Sequence, residues 1–158
     1  ILIEHRAVDI CVQALSRIRS ALPPPAAKAM AAVGGAPSSD PYLLPSQMAT
    51  LVLAELGANA MNLGPETPPR TLQVAMDKHG AKLLWLSVSA PAAVDPLLRE
   101  LPALLEAVER AGAMLCVGGR AAGALADVEH ASLRFGRSMT ELAEIARRNC
   151  GQIGRAHV

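Results

Sequence analysis

The sequence predicts one doubly wound α/β domain over residues 28–150, with five parallel strands and helices on both faces of the sheet. Short apolar runs alternate with amphipathic helical patterns along this region, and Gly, Pro or a capping residue separates most of them. Strands separated by helices pair in parallel through right-handed crossovers. We therefore expect a flavodoxin-like, Rossmann-like sheet of strand order 2-1-3-4-5.

The five predicted strands are short and rich in Ala, Val and Leu. They span residues 28–33, 59–63, 82–87, 114–117 and 132–135. Helical periodicity lies between them, over residues 45–56, 70–79, 96–111 and 139–148. Between the fourth and fifth strands, residues 123–128 are long enough only for a short helix.

Residues at the predicted helix ends have defined physical roles. Asp95 is a candidate N-cap for a helix that starts with Pro96, and Ser138 with Glu141 forms a capping-box pattern. Pro102 should kink or split the third helix of the domain. Three glycines are predicted left-handed helix ends: Gly57, Gly80 and Gly112.

Two segments flank the predicted domain. Residues 1–22 carry an amphipathic helical pattern, which ends before a stiff Pro-rich linker at residues 23–27. The chain begins within this pattern and without Met, so we expect it to be a piece of a longer protein. Residues 151–158 are expected to form a disordered tail, and the last six match the translation of a common sequencing-adapter read.

Composition narrows the function classes. Hydrophobic residues make up 51% of the chain and charged residues 18%, but no run approaches the ~18 apolar residues that a membrane span requires. The net charge of +1 and the scattered Lys and Arg do not favour binding to a phosphate backbone. Because Cys11, Cys116 and Cys150 are few and widely separated, we expect a soluble protein of the reducing cytoplasm with structural thiols.

Small residues follow every predicted strand. Glycines follow the first, second, fourth and fifth strands, and serines follow the third. Small residues at the carboxyl edge of a sheet leave room for a broad, flat ligand, although βα turns are also rich in Gly without one. Both explanations remain open from the residues alone.

Several ligand classes of this topology are excluded. A phosphoacceptor domain needs a carboxylate cluster for Mg²⁺, whereas the third strand ends on Ser87 and the fifth on Phe135. Neither a P-loop nor a G-x-G-x-x-G dinucleotide motif occurs, and no Ser lies in a G-x-S-x-G elbow.

The strand-end residues resemble those of the cobalamin-binding domains, in particular those attached to MerR-type transcriptional regulators. The family pattern D-x-H-x-x-G falls on residues 40–45, from Asp40 to Pro45, and the serine motif after the third strand falls on Ser87-Val88-Ser89. The family's glycine pair falls on Gly118-Gly119, and Asn62-Leu63-Gly64 resembles the loop after the second strand. The resemblance covers nearly the whole chain except the tail.

The resemblance implies a role for each of these positions. In the family, the motif histidine is the lower axial ligand of cobalt, and the aspartate, here Asp40, orients it. The serine, here Ser87, bonds the dimethylbenzimidazole tail, and the glycines, here Gly118 and Gly119, make room for that tail. Asn62, Gly64 and Ser89 are the further candidate cofactor-binding residues that the resemblance supplies.

Two residues within the D-x-H-x-x-G motif depart from the family pattern. Tyr42 stands at the position of the ligating histidine, and Pro45 replaces the motif glycine. A neutral phenol is a poor cobalt ligand, so histidine-bound cobalamin is excluded, although a tyrosinate can bind a metal. Three outcomes stay open: cobalamin with its own base or water below the cobalt, another flat tetrapyrrole, or a domain that binds no ligand.

The first helix also fits the resemblance. Glu4-His5 is similar to a Glu-His pair on the last helix of the family's helical cap, which sits over the upper face of the corrin. We therefore interpret residues 1–22 as the last helix of a truncated cap, with Glu4 and His5 as candidate cofactor-binding residues. Tyr42 and His5 are the two candidate metal ligands, while Trp85 is expected to lie in the core.

The resemblance leads to a functional hypothesis. The chain is expected to be a cobalamin-binding sensor domain of a transcriptional regulator, with no chemistry of its own and with DNA bound only through a missing N-terminal domain. It could assemble into a homo-oligomer. One alternative is the corrinoid carrier of a methyltransferase or mutase, and another is a degenerate domain that serves protein interaction.

Overall fold

Strands and helices alternate along the chain, as the apolar pattern predicts. The computed structural model describes residues 2–153. The strands are β1 Ala31–Gly35, β2 Asn59–Asn62, β3 Leu83–Ser87, β4 Met114–Gly118 and β5 Leu133–Gly136. The α-helices are α1 Leu2–Ala21, α2 Leu44–Glu55, α3 Pro69–His79, α4 Val94–Arg110 and α5 Met139–Ile153.

The sheet has the predicted topology. All four strand pairs are parallel, and the order is β2-β1-β3-β4-β5. Gly34 of β1 is in register with Trp85 of β3, and Ser87 of β3 is in register with Gly118 of β4. The carboxyl ends of β1, β3, β4 and β5 therefore meet at one edge, and the chain reverses its strand order beside β1.

Alternate residues of the strands pack into two apolar layers. Leu84, Leu86 and Leu115 lie with α3 and α4 on one face. Leu83, Trp85 and Cys116 lie with α2 and α5 on the other face. A parallel sheet covered on both faces explains why its strands read as continuous apolar runs rather than as alternating ones.

The first strand begins three residues later than the sequence predicts and includes Gly34 and Gly35. The Trp85 indole lies directly against Gly34, where an added Cβ would be 2.1 Å from a ring carbon. Gly34 is therefore a strand residue whose missing side chain makes room for Trp85, and not the start of a loop.

Several helix ends match the prediction and others correct it. Gly57, Gly80 and Gly112 adopt positive φ angles of 85°, 60° and 59° as predicted. Asp95 is not an N-cap, because α4 begins at Val94 and follows directly on a 3-10 turn at Pro91–Ala93. Pro102 lies inside α4 and does not split it.

The last two elements also differ from the prediction. The crossover before β5 holds only a 3-10 helix, Ala122–Leu125, instead of a short α-helix at residues 123–128. Helix α5 starts from the predicted cap, since the Glu141 N–H donates to Ser138 Oγ at 3.1 Å. It continues to Ile153 and so takes in the first three residues of the predicted tail, while residues 154–158 lie outside the described residues.

The C-terminal half of α1 packs on the domain. Leu15 and Arg19 face α2, and the Arg19 guanidinium donates to the Ala60 carbonyl on the open edge of β2 at 3.3 Å. Arg134 likewise donates to the Ala131 and Leu133 carbonyls beside β5, at 2.9 and 2.7 Å. Within residues 2–153, no helix is both long and apolar enough to cross a membrane.

The contact between Gly34 and Trp85 predicts a non-additive pair of substitutions. Gly34→Ala should lower the free energy of unfolding by about 1–3 kcal/mol, because the added methyl overlaps the indole. In a Trp85→Ala background the same change should be neutral or stabilising, since the overlap is gone and Ala restricts the unfolded chain. Urea denaturation of the four proteins of this cycle measures both effects. Equal costs of Gly34→Ala in the two backgrounds would contradict the packing described here.

Candidate functional site: a cleft at the carboxyl edge of the sheet

A cleft of about 350 Å³ lies between α2 and α5, over the carboxyl ends of β3, β4 and β5. Its apolar wall is formed by Ala49, Trp85, Cys116 and Leu142. Its polar part consists of Ser87, Arg120, Arg137 and Ser138. A cavity of this size with a few convergent polar groups matches the smaller ligand pockets of proteins.

Ser87 is a predicted site residue that lies in the wall of the cleft. It ends β3, is 7% exposed and lines the cleft. No described residue forms a hydrogen bond with its hydroxyl. The hydroxyl is open to the cleft, where it can bond to water or to a ligand. The cleft therefore contains one polar group suited to a ligand.

Cys116 contributes bulk to the cleft and not reactivity. Burial raises the pKa of its thiol to about 12, against a lowering by a backbone hydrogen bond from Gly136. The thiol is consequently protonated at neutral pH, and it is neither a nucleophile nor a metal ligand there.

The glycines of the strand ends are explained by the chain's own packing. An added Cβ on Gly35 would lie 2.7 Å from the Gly64 carbonyl oxygen, and one on Gly118 would lie 2.6 Å from that of Gly136. Gly119 has a φ of 109° and would meet the Val88 backbone. Gly118 and Gly119 do line the cleft. Their small size, however, is required by neighbouring backbone and is not itself evidence of a flat ligand.

Asp40 joins three loops at the edge of the sheet. Its side chain is fully buried, and Oδ2 accepts hydrogen bonds from the N–H groups of Ser89 and Ala90 at 2.5 and 3.0 Å. Oδ1 accepts one from the Tyr42 N–H at 3.1 Å. Its carbonyl accepts one from the Glu66 N–H at 3.1 Å. Both carboxylate oxygens are thus committed to the backbone, including that of Ser89, another predicted site residue.

Glu66 strengthens this junction from the loop after β2. Its carboxylate accepts a hydrogen bond from the Ser39 N–H at 2.7 Å. Both residues have positive φ angles, 67° for Ser39 and 54° for Glu66, which are costly for residues other than glycine. The two strained residues hold each other in place, and they clamp the β1–α2 loop to the β2–α3 loop.

Tyr42 lies at the rim of the site. Its side chain is 48% exposed, and the Arg120 guanidinium carbon is 5.9 Å from the centre of its ring, which is a cation–π distance. Arg120 also donates to the Ser89 carbonyl at 3.4 Å. Three strand-end loops thus meet over the mouth of the cleft through Tyr42, Ser89 and Arg120.

The other predicted site residues lie away from the cleft. Asn62 accepts hydrogen bonds from Ser46 Oγ and from the Gly64 N–H, both at 2.9 Å, and it lines a hollow on the far side of α2. Gly64 has a φ of 94° with open space beside it. Glu4 and His5 are exposed in the first turns of α1, whereas the helix packs on the domain through its C-terminal half.

The structure adds site residues that the sequence analysis did not select. Arg120 and Arg137 directly follow glycines at two strand ends, so their positions were a usable signal. Trp85 is buried in the core as expected, yet it also forms part of the cleft wall. Among the described residues, no three His, Cys, Asp or Glu side chains lie close enough together to hold a metal ion.

Because both carboxylate oxygens of Asp40 accept hydrogen bonds from the backbone, replacing this side chain by its amide should lower stability. Asp40→Asn should lower the free energy of unfolding by about 1.5–3 kcal/mol, because an amide cannot accept on both sides as the carboxylate does. The exposed Asp77→Asn on α3 serves as the matched control and should stay within about 0.5 kcal/mol. Urea denaturation gives both values, and a cost of Asp40→Asn no larger than the control would contradict the role assigned to Asp40.

Comparison with solved structures gives the fold. The chain is similar to a cobalamin-binding protein from Desulfitobacterium hafniense DCB-2, with a TM-score of 0.61 and 17% identity over 77% of this chain and 60% of that one. It is similar to the monomethylamine corrinoid protein of Methanosarcina barkeri, with a TM-score of 0.66 and 15% identity over 92% of this chain and 66% of that one.

A third similar structure is the methanol:cobalamin methyltransferase complex from Methanosarcina barkeri. The TM-score is 0.61 and the identity 17%, over 77% of this chain and 46% of that one. The chain thus spans roughly half to two thirds of the length of these proteins. No family model and no curated protein matches the sequence. The chain has the fold of the cobalamin- and corrinoid-binding domains.

Proposed function

We propose that this domain binds a corrinoid, with the nucleotide tail in the cleft and the corrin ring over the strand-end loops, and without a histidine on the cobalt. The single observation that carries the proposal is the hydroxyl of Ser87, which lines the cleft and has no hydrogen-bond partner among the described residues. Its position matches the family serine that bonds the base of the tail. The shared fold supports the same ligand class.

The charges at the cleft fit the phosphodiester of a nucleotide tail. Arg120 and Arg137 both line the cleft, and Ser138 caps the N-terminus of α5 there. Guanidinium groups and the N–H groups of a helix N-terminus both attract phosphate. The apolar wall beside them suits a planar base. These residues would hold the tail, and the bound corrinoid would supply the cobalt centre.

The residues below the expected corrin position argue against histidine ligation. Tyr42 replaces the histidine, its ring is paired with Arg120, and both Asp40 oxygens are bound to backbone N–H groups. The Asp40 carboxylate is thus used to hold the strand-end loops together, and no histidine stands at residue 42 for it to orient. With the nucleotide base held in the cleft, we infer that a water molecule, and no side chain of this domain, would take the lower position on the cobalt.

We further propose a sensor role, as a module of a cytoplasmic transcriptional regulator of the MerR type. In this role the chain contributes binding and a conformational response, while DNA is bound by another domain. Its support is Tyr42, which stands where corrinoid carriers of the resembling family use a histidine, together with the Glu4-His5 pair of α1, which resembles that of the regulators. A corrinoid carrier for a methyltransferase is the second candidate, and the fold shared with the monomethylamine corrinoid protein supports it.

Binding is tested with the visible spectrum. After mixing with hydroxocobalamin and desalting, the protein should retain corrin absorbance in about a one-to-one ratio. Cobinamide, which lacks the nucleotide tail, should bind at least ~10-fold more weakly, a difference of about 1.4 kcal/mol or more. Ala49→Leu, which fills the cleft, should weaken cobalamin retention to a similar extent. The matched Ala103→Leu, at an exposed position of α4, should leave retention unchanged.

Two results would overturn the proposal. Loss of all absorbance on desalting of the unmodified protein would rule out corrinoid binding and leave an interaction role. Equal retention of cobalamin and cobinamide would show that the cleft does not hold the tail.

The lower face is tested by Tyr42→Phe. We expect retention and the visible spectrum of bound hydroxocobalamin to stay unchanged, because the phenylalanine ring keeps the packing and the hydroxyl is not a cobalt ligand. Spectra of the two proteins at equal occupancy, between pH 6 and 9, provide the comparison. A shift of the corrin bands in the variant would instead identify Tyr42 as a cobalt ligand.

A further inference from the structure

Helix α2 separates two hollows. The cleft described above lies on its α5 side. On the opposite side, a hollow of about 120 Å³ lies between α1 and α2, and its lining includes Leu15, Arg19, Thr50 and Asn62. We call this second hollow the α1 seat. Among the described residues, Ser46 in the first turn of α2 is the one side chain of this helix that is hydrogen-bonded both to a residue that lines the cleft and to a residue that lines the α1 seat.

Three buried or half-buried side chains connect the two hollows. The indole N–H of Trp85, on the cleft wall, donates to Ser46 Oγ at 3.3 Å. Ser46 Oγ in turn donates to Asn62 Oδ1 at 2.9 Å, and Asn62 lines the α1 seat. The same oxygen accepts from the Gly64 N–H at 2.9 Å. We call Trp85, Ser46 and Asn62 the relay.

The relay has little freedom to rearrange one member at a time. Ser46 is fully buried, and its one hydroxyl proton is used toward Asn62. The Trp85 ring is backed by Gly34, so a group that enters the cleft cannot push it into the sheet. Breaking the bond between Trp85 and Ser46 would leave the buried indole N–H without a partner. A ligand that packs on Trp85 should consequently hold Ser46 and Asn62 more firmly in their present positions.

We propose that the relay couples occupancy of the cleft to the seating of α1. A corrinoid in the cleft steadies Trp85, and through Ser46 it steadies Asn62 and the edge of the sheet to which α1 is bound by Arg19. The ligand arm of this proposal rests on the proposed function, while the reverse effect, from α1 to Trp85, needs no ligand because coupling between two sites is reciprocal.

The ligand arm is tested by amide hydrogen exchange with hydroxocobalamin as the probe. Exchange in α1 should slow by about two- to thirtyfold on binding, the range of such couplings. Helix α3, on the other face of the sheet, reports any general stabilisation. Ser46→Ala should abolish the slowing in α1 while corrinoid is still retained, because Ser46 does not line the cleft. The exposed Met48→Ala is the matched control and should keep it. Slowing of α1 in Ser46→Ala equal to that in the unmodified protein would overturn the proposal.

The second arm uses the protein without ligand. Trp85 is the chain's one tryptophan, so acrylamide quenching of its fluorescence reports on the cleft wall alone. Arg19→Ala, which removes the bond from α1 to Ala60, should raise the quenching constant by about twofold or more. The exposed neighbour Arg17→Ala should not change it, and Arg19→Ala should have no effect in a Ser46→Ala background.

The two arms separate the two proposals. If no corrinoid is retained, the proposed function fails, and the quenching experiment alone decides on the relay. An unchanged quenching constant in Arg19→Ala, or an equal rise with and without Ser46, would overturn it. Ser46→Cys, whose thiol is only a weak hydrogen-bond partner, supplies the hydrogen-exchange result if Ser46→Ala does not fold.

Discussion

The carboxylate of Asp40 is the interaction on which the site depends. Parallel strands deliver their loops to one edge of a sheet, but nothing in the sheet itself fixes how those loops pack. Asp40 accepts from its own loop at Tyr42 and from the β3 loop at Ser89 and Ala90, and its carbonyl binds the β2 loop at Glu66. A charged acceptor with backbone donors is among the stronger hydrogen-bonded arrangements, which explains its complete burial.

This use of Asp40 changes the meaning of the motif in which it lies. The resemblance predicts a ligating histidine two residues after Asp40, and a tyrosine stands at that position. In the structure the aspartate holds loops together, and the tyrosine packs under Arg120. The packing of the strand-end loops therefore depends on Asp40 and does not require a histidine at residue 42.

Much of the fold was predictable from the sequence, because strand and helix periodicities are local signals. The glycine ends of three helices and the Ser138 cap follow from residues within a few positions of each other. The strand order follows from the alternation of strands and helices along the domain. The start of β1 and the role of Trp85 did not follow, since they depend on Gly34 and Trp85 meeting across two strands that are about fifty residues apart. Ser87 could be predicted from its strand end, whereas Ser46 had no local signal of its partners in β3 and β2.

The arginines at the two edges of the sheet affect whether sheets of neighbouring molecules can pair edge to edge. The unpaired edges of β2 and β5 are where a strand of a foreign chain would add by main-chain hydrogen bonds. Arg19 donates to the outward-facing carbonyl of Ala60 in β2. Arg134 donates to the carbonyls of Leu133, in β5, and of Ala131, just before it. Both margins thus present charged groups in place of free acceptors. Neighbouring copies at high local concentration are therefore discouraged from joining their sheets into a continuous ribbon.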